Sequence, residues 1–141
     1  MKRTRTIILT IATVLLWILP GCTHNNGDIG PVFGNWKLVR TQMSGETEMK
    51  IDHPMFWSFQ NTTFRCIYKD SEPEGSTTYG NFRIDDNTLF LDFPDENYPP
   101  PAALSLPRQS EWQILKLTHG ELTVRYDRTP DSSAILYFKK W

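Results

Sequence analysis

Histidine is scarce in this chain, and the residue spacings that build metal and catalytic sites are missing. The three histidines are His24, His53 and His119, and none has a partner at His-x-x-x-His or Cys-x-x-Cys spacing. The sequence also lacks a glycine-rich phosphate loop and a Gly-x-Ser-x-Gly nucleophile motif. It therefore predicts no catalytic residue, no metal site and no cofactor, and we do not expect the protein to be an enzyme.

An excess of positive charge is absent as well. The chain carries 15 basic and 16 acidic side chains, a formal net charge of −1. A strongly basic balance is the usual mark of proteins that bind nucleic acid, so no nucleic-acid partner is expected. Beyond the first five residues, no stretch of the sequence is dense in lysine or arginine, and the sequence therefore predicts no basic patch that would hold an anionic membrane surface.

Helical periodicity is also missing, since no window shows a sustained apolar stripe with a period of 3.6 residues. From Gly34 onward, short segments rich in aromatic and β-branched residues alternate with clusters of turn-forming residues. We therefore predict an all-β fold, an antiparallel up-and-down barrel of about eight strands, because closure leaves no exposed edge. The predicted strands are residues 35–42, 54–59, 63–69, 78–84, 89–93, 111–118, 122–127 and 133–140.

Residues 94–110 interrupt this pattern with five prolines, at positions 94, 99, 100, 101 and 107. Proline lacks the backbone donor that a sheet requires, so this segment is predicted to be a long loop or lid with one helical turn near 102–104. Tyr98 and the three prolines after it fit a lid or a polyproline strip that binds a partner. The alternative is a plain loop stiffened by proline.

The N-terminus has the three parts of a secretory signal peptide. Lys2, Arg3 and Arg5 precede an apolar run over residues 6–19, and a small residue, Gly21, follows. A membrane-spanning helix needs about 20 apolar residues, so the run is too short to be one. The chain is therefore expected to be exported.

The residues Leu19-Pro20-Gly21-Cys22 resemble the lipobox of bacterial lipoproteins. This resemblance implies that residues 1–21 are removed and that Cys22 becomes the lipidated N-terminus, with palmitate among its acyl chains. The alternative is an ordinary signal peptide with a cysteine near its cleavage site. Cleavage would leave 12 basic and 16 acidic side chains, a net charge of −4, and Cys66 would have no cysteine partner.

These features divide the chain into a signal peptide at 1–21, a lipidated tether at 22–32 and a barrel at 33–141. The tether is polar and contains glycine, as expected between an anchor and a folded body. The expected location is the bacterial cell envelope, with the barrel at the outer membrane and facing the periplasm.

Gly34-Asn35-Trp36, at the start of the first predicted strand, matches the Gly-x-Trp motif of the lipocalin superfamily. The later runs at 112–114, 122–124 and 136–140 are similar to those of small bacterial lipocalin-like lipoproteins, so the resemblance covers nearly all of residues 33–141. It implies a barrel whose tryptophan, here Trp36, plugs one end while the mouth admits a small apolar ligand. It also implies a cation from near the last strand lying on that tryptophan, a role open to Lys139 or Lys140.

Seven aromatic residues are the candidates for ligand binding, because small-molecule sites are mostly apolar. The alternative is that they fill the barrel core. The predicted function is accordingly that of an envelope-anchored lipoprotein binding a small hydrophobic ligand. The alternative is an interaction module with a solid core, whose loops, chiefly 94–110, dock an envelope protein. The candidates are Trp36, Trp57, Phe59, Phe64, Tyr68, Phe82 and Trp112.

Overall fold

A computed structural model describes residues 30–44, 53–69 and 75–141 of the chain. The predicted signal peptide, Cys22 and the tether up to residue 29 lie outside the described residues, as do 45–52 and 70–74. The described residues form eight strands and a 3-10 turn at Ala102–Leu104. The strands are β1 (Gly34–Ser44), β2 (Met55–Gln60), β3 (Thr63–Tyr68), β4 (Ser76–Asp85), β5 (Thr88–Asp92), β6 (Gln109–Leu117), β7 (Glu121–Thr129) and β8 (Ser132–Lys140).

Each strand pairs antiparallel with the next one along the chain, and β8 pairs with β1 to close the barrel. The predicted all-β, eight-stranded up-and-down barrel is therefore confirmed. Closure satisfies the backbone groups of both terminal strands, so neither is left as a free edge. No helix in the described ranges is long and apolar enough to cross a membrane.

Two-residue turns join β2 to β3 and β4 to β5. Asn61 and Asp86 take positive φ values of 54° and 49° in these turns. Asn and Asp tolerate the left-handed region better than most residues do, which explains why the chain reverses at these two positions.

The two ends of the barrel are built differently. One end, here named the closed end, carries the start of β1, the end of β8 and the tight turns after β2, β4 and β6. The opposite end, here named the mouth, carries the long connection from β5 to β6 and the short turn between β7 and β8. The closed end is therefore compact, and the proline-rich segment lies at the mouth.

Aromatic rings fill the barrel interior, with Trp57 at their centre. The centroid of its ring lies 5.3 Å from those of Phe64 and Trp112 and 4.6 Å from that of Phe138. Trp57, Phe64 and Trp112 are each 0% exposed. Such edge-to-face and tilted contacts add to the burial of large aromatic groups, so the axis of this barrel is a packed core.

Candidate ligand site at the mouth of the barrel

The closed end is sealed by Trp36, which lies on β1 and is fully buried. Its Nε1 donates a hydrogen bond to the carbonyl oxygen of Val32 at 2.6 Å. The Nζ of Lys140 lies 4.2 Å from the centroid of the Trp36 ring and also donates to the carbonyl of Phe33. Lys140 thus lies on the tryptophan in the way the resemblance implied, and partial burial lowers the pKa of this amine.

Gly34 allows Lys140 to reach this position. Its φ of +111° lies in a region that residues with a side chain rarely adopt. A Cβ atom at this site would lie 3.0 Å from Cε of Lys140 and 3.1 Å from its Nζ. The glycine of the Gly-x-Trp motif is therefore required both by the backbone conformation and by the space that the lysine occupies.

We expect Gly34→Ala to lower the free energy of unfolding by about 1–3 kcal/mol, because the substitution strains the backbone and displaces Lys140. Urea denaturation monitored by tryptophan fluorescence measures this change. Gly120→Ala is the matched control, since a Cβ there meets nothing within 4 Å. Equal stability of the two variants would contradict this role for Gly34.

The mouth is covered by the segment 93–108, whose two ends are hydrogen-bonded to each other. The backbone N–H of Phe93 donates to the carbonyl of Arg108 at 2.8 Å. In return, Nη1 of Arg108 donates to the carbonyls of Phe93 and Asp95 at 3.0 and 3.2 Å. Leu104, in the predicted helical turn, is fully buried against the core. The prediction of an irregular segment with a helical turn at 102–104 is therefore confirmed.

A cavity of about 370 Å³ lies between this segment and the ends of β3 and β4 that reach the mouth. The hydroxyl of Thr78 closes one side by donating a hydrogen bond to the carbonyl of Pro99 at 2.5 Å. The described residues that line it include no carboxylate, amine or guanidinium, and they offer apolar surface, hydroxyl groups and a thiol. Its lining residues are Cys66, Tyr68, Ser76, Thr77, Thr78, Pro99, Pro100, Pro101, Ala102 and Ala103.

Cys66 is a buried, unpaired thiol at the inner side of this cavity. Burial raises its pKa well above the usual range, and the neighbouring Trp57 side chain opposes that effect only in part. Trp57 lies directly opposite Cys66 in the pairing of β2 and β3, but its Nε1 has no hydrogen-bond partner in the described part of the chain. The thiol is therefore protonated at neutral pH and acts as a small apolar group.

The raised pKa of Cys66 makes stability depend on pH. In the unfolded chain a cysteine ionises near pH 8.5, whereas in the folded barrel the thiol stays protonated. The protonated thiol of Cys66 therefore makes its full contribution to the free energy of unfolding below about pH 8.5. Above that pH, this contribution falls by up to about 1.4 kcal/mol per pH unit. We expect the difference in unfolding free energy between Cys22→Ser and Cys22→Ser/Cys66→Ala proteins to change with this slope between about pH 9 and 10. A constant difference would contradict it.

The structure separates the seven predicted binding residues into three groups. Trp57, Phe59, Phe64 and Trp112 belong to the packed interior, and Phe82 lies half-buried with its ring 4.9 Å from that of Phe59. Trp36 belongs to the closed end. Of the seven, Tyr68 lines the cavity at the mouth, where the ring of His53 meets it edge-on at 6.0 Å.

Several lining residues were not among the predicted binding residues. Thr78 and Ser76 lie on a strand whose inward face is not obvious from the sequence, because Gly80 replaces an apolar side chain in the alternation. Pro99, Pro100 and Pro101 were recognised as part of a lid, but the strand residues opposite them depend on the register of β3 and β4. In the described part of the chain, no three His, Cys, Asp or Glu side chains are placed to hold a metal ion.

A larger groove of about 550 Å³ lies along β4, β5 and β6. Arg83 stacks on Phe90 there, with the guanidinium carbon 3.6 Å from the ring centroid. Arg83, Phe90 and Glu111 occupy the outward positions of three paired strands, while Leu91 points into the core. This groove is therefore an open feature of the outer surface and is separate from the mouth.

The sequence matches one protein family over most of its length. The family model described as a lipocalin-like domain matches residues 15–141. The chain therefore belongs to the lipocalin-like domain family, and the resemblance carried by the Gly-x-Trp motif is confirmed.

Two solved structures share the fold. A crystal structure of a lipocalin-like protein from Bacteroides uniformis is similar with a TM-score of 0.61 and 21% identity, over 79% of this chain and 100% of that one. An uncharacterised protein from Bacteroides eggerthii is similar with a TM-score of 0.55 and 16% identity, over 78% and 99% of the two chains. No protein in the curated comparison set matches this sequence.

Proposed function

We propose that the protein is a lipid-anchored, non-catalytic binding protein of the bacterial envelope that holds one small, uncharged and largely apolar molecule. The cavity of about 370 Å³ beneath Pro99–Ala103 carries this proposal. Its size falls near the lower end of the range of about 300–1,000 Å³ that is common for small-molecule sites. Membership of the lipocalin-like family is consistent with a ligand-binding role.

The packed interior limits the size and shape of the ligand. Trp57, Phe64 and Phe93 are fully buried and occupy the space below the cavity, so a long chain cannot extend along the barrel axis. A compact molecule, or one end of a longer one, fits beneath the segment 93–108. Burial of about 200 Å² of apolar ligand surface contributes about 5 kcal/mol. A gain of this size corresponds to a Kd of about 0.2 mM before the cost of association, so weak binding in the submillimolar to millimolar range is expected.

The proposed anchoring depends on Cys22 and on the signal-peptide features before it. Acylation of Cys22 at the outer membrane would hold the closed end, where β1 begins, near the bilayer, with the mouth open to ligands in the periplasm. Labelling of cells with palmitate tests it. Incorporation into the parent protein and none into Cys22→Ser is expected, and equal labelling of both would overturn it.

The ligand proposal is tested with a panel of compact, uncharged fluorescent probes such as N-phenyl-1-naphthylamine, and native mass spectrometry gives the stoichiometry. We expect one probe per barrel, bound with submillimolar to millimolar affinity, and weaker binding of a fluorescent fatty acid, whose carboxylate and long chain the cavity does not fit. Ala103→Trp adds an indole at a half-buried position of the cavity lining and is expected to weaken binding at least tenfold. Leu115→Trp adds the same group at an outward position that is 47% exposed, and it should bind as the parent does. Absence of binding by the parent, or equal loss in both variants, would contradict the proposal.

A second function, docking of an envelope protein through the mouth segment, is favoured by the packed interior. Tyr98 is 39% exposed on this segment, and its ring lies 5.1 Å from that of Tyr79. A photo-crosslinker at position 98 in cells should then capture one dominant partner. The same group at Ile84, which is 37% exposed on β4, is the control and should capture none. No adduct specific to position 98 would exclude this function.

A further inference from the structure

Charge is unevenly distributed around the barrel. The described residues 30–44 and 53–69 contain no aspartate or glutamate but carry Lys37, Arg40, Arg65 and Lys69. In the described part of the chain, every acidic side chain lies at position 85 or beyond. Strands β1, β2 and β3 therefore present cations without carboxylates, although the sequence as a whole is almost neutral.

The register of the sheet brings a further lysine to these strands. Lys139 on β8 lies directly opposite Lys37 on β1, and Arg65 on β3 lies opposite Ser58 on β2. The apolar residues next to Lys37, Arg65 and Lys139 pack in the core, so the alternation of side chains along a strand directs these cations outward. Arg40 follows a bulge in β1 and lies over the ring of Tyr137, opposite it on β8. We name this outer surface of β8, β1, β2 and β3 the basic wall, defined by Lys37, Arg40, Arg65 and Lys139.

Ion pairs lie elsewhere in the described structure. They join Arg83 to Asp85, Lys116 to Glu121 and Arg125 to Asp127, on β4, β6 and β7. Glu121 borders the basic wall because it lies opposite Lys139; its carboxylate is bonded to Lys116 and is attracted more weakly by Lys139. Two lysines opposite each other on paired strands are unfavourable on their own, so the Lys37 and Lys139 pair favours an external anion.

Aromatic side chains accompany these cations. Trp141 is 71% exposed, and Lys37 places its Nζ 4.8 Å from the centroid of that indole ring. The ring of Phe56 meets Trp141 edge-on at 5.5 Å, and Arg40 lies over Tyr137 with 3.7 Å from its guanidinium carbon to the ring centroid. Tryptophan and tyrosine beside lysine and arginine are typical of surfaces at the membrane–water interface.

The position of β1 connects the basic wall with the proposed anchor. Eight residues, 23–30, follow Cys22 before the short segment that enters β1 at Gly34. Fully extended, these eight residues span at most about 28 Å. An acylated Cys22 would therefore hold the strand that carries Lys37 and Arg40 within reach of the bilayer surface.

We propose that the basic wall docks on anionic lipid headgroups, with the indole of Trp141 at the interface, so that the barrel lies with β1 and β8 toward the membrane. The relevance of this contact in the cell rests on the proposed anchoring, but the contact itself needs no acyl chain. Phosphate groups of the lipids would neutralise Lys37 and Lys139, and each cation near such a surface strengthens binding several-fold. The mouth would then stay accessible from the side.

Vesicle sedimentation tests this surface with the chain from residue 22 onward carrying Cys22→Ser, so that neither an acyl chain nor the apolar run at residues 6–19 can bind the vesicles. We expect binding to vesicles containing phosphatidylglycerol, little binding to phosphatidylcholine alone, and release as salt is raised. Replacing three cations of the wall by glutamine should weaken binding at least tenfold. The matched control removes three cations from the other strands and should bind as the parent does. The wall variant is Lys37→Gln/Arg65→Gln/Lys139→Gln, and the control is Arg83→Gln/Lys116→Gln/Arg125→Gln.

Trp141 provides a second, independent measurement. Trp36, Trp57 and Trp112 are fully buried, so Trp141 is the tryptophan of the described barrel that lipid can reach. Brominated phosphatidylglycerol should quench part of the fluorescence of the bound protein, and Trp141→Phe should abolish that quenching while the protein stays folded.

Each of three results would overturn the proposal: no binding to anionic vesicles, equal loss of binding in the two triple variants, or binding without quenching of Trp141. The first includes the case in which the same cations bind an acidic protein and not the vesicles. None of these results depends on palmitate labelling of Cys22 or on probe binding in the cavity, so failure of the anchor or of the ligand site is recognised separately.

Discussion

Trp57→Ala is expected to lower the free energy of unfolding by about 3–5 kcal/mol, a large part of the stability of a domain this size. The side chain is fully buried and meets four other rings, those of Phe59, Phe64, Trp112 and Phe138. Truncation would leave a cavity at the centre of the interior that the closed sheet cannot collapse to fill. Urea denaturation followed by circular dichroism measures the loss.

Phenylalanine substitutions separate packing from hydrogen bonding. Trp57 Nε1 has no oxygen or nitrogen partner, whereas Trp112 Nε1 donates to Oγ of Ser110 at 3.0 Å. Trp112→Phe leaves a buried hydroxyl without this donor, so we expect it to cost about 1 kcal/mol more than Trp57→Phe. Only a minor loss in Trp57→Ala, comparable to that in Trp57→Phe, would show that the interior is not packed around this ring.

Trp36→Ala is expected to have an effect of similar size, about 3–5 kcal/mol, for a different reason. It removes the fully buried plug of the closed end, the donor to the Val32 carbonyl and the ring beneath Lys140. Three interactions that join β1, β8 and the segment before β1 are lost together. Thermal unfolding should therefore show a much lower Tm than in the parent.

A double-mutant cycle isolates the cation–π part of this arrangement. Lys140→Met keeps much of the aliphatic stem but removes the charge, and Trp36→Leu keeps a large apolar side chain but removes the aromatic ring. We expect a coupling of about 0.5–2 kcal/mol between the two positions. The pair of Lys139→Met and Trp36→Leu is the control, because Lys139 points outward. A coupling that is the same for both lysines would contradict the assignment of Lys140.

Strand order and the lid follow from local patterns in the sequence. Alternating apolar residues predicted all eight strands, and proline at positions 94, 99, 100, 101 and 107 predicted the irregular segment, because proline cannot donate to a sheet. The 3-10 turn at Ala102–Leu104 lies where the sequence placed it. The main difference is at Gln109 and Ser110, predicted as loop. They pair with Asp92 and Leu91 on β5, an arrangement that polar residues near Pro107 do not reveal.

The candidate site could be predicted only in part. Aromatic composition identified a set of apolar residues, but a ring in the packed interior and a ring at the mouth look alike in the sequence. Register and the path of the lid decide that Tyr68 lines the cavity and that Phe64, four residues earlier on the same face, does not. The register of β4 and the path of the segment 93–108 likewise decide that Thr78 lines the cavity.

The basic wall could not be predicted from the sequence either, because it depends on which strands pair. Lys37, Arg65 and Lys139 are far apart along the chain, and no segment around them is rich in lysine or arginine. Closure of the barrel by β8 on β1 brings Lys139 beside Lys37. The sequence predicted no basic patch, because it could not show which strands become neighbours.

The central claim is that this barrel has a packed axis and binds its ligand at the mouth. Amide chemical shifts of the isotope-labelled protein, recorded with and without a saturating probe, test it most directly. We expect the largest changes at Cys66, Tyr68, Thr78 and the segment 99–103, with little change around Trp36. Changes centred on Phe90 and Arg83, or spread through Trp57 and Trp112 along the axis, would contradict the claim.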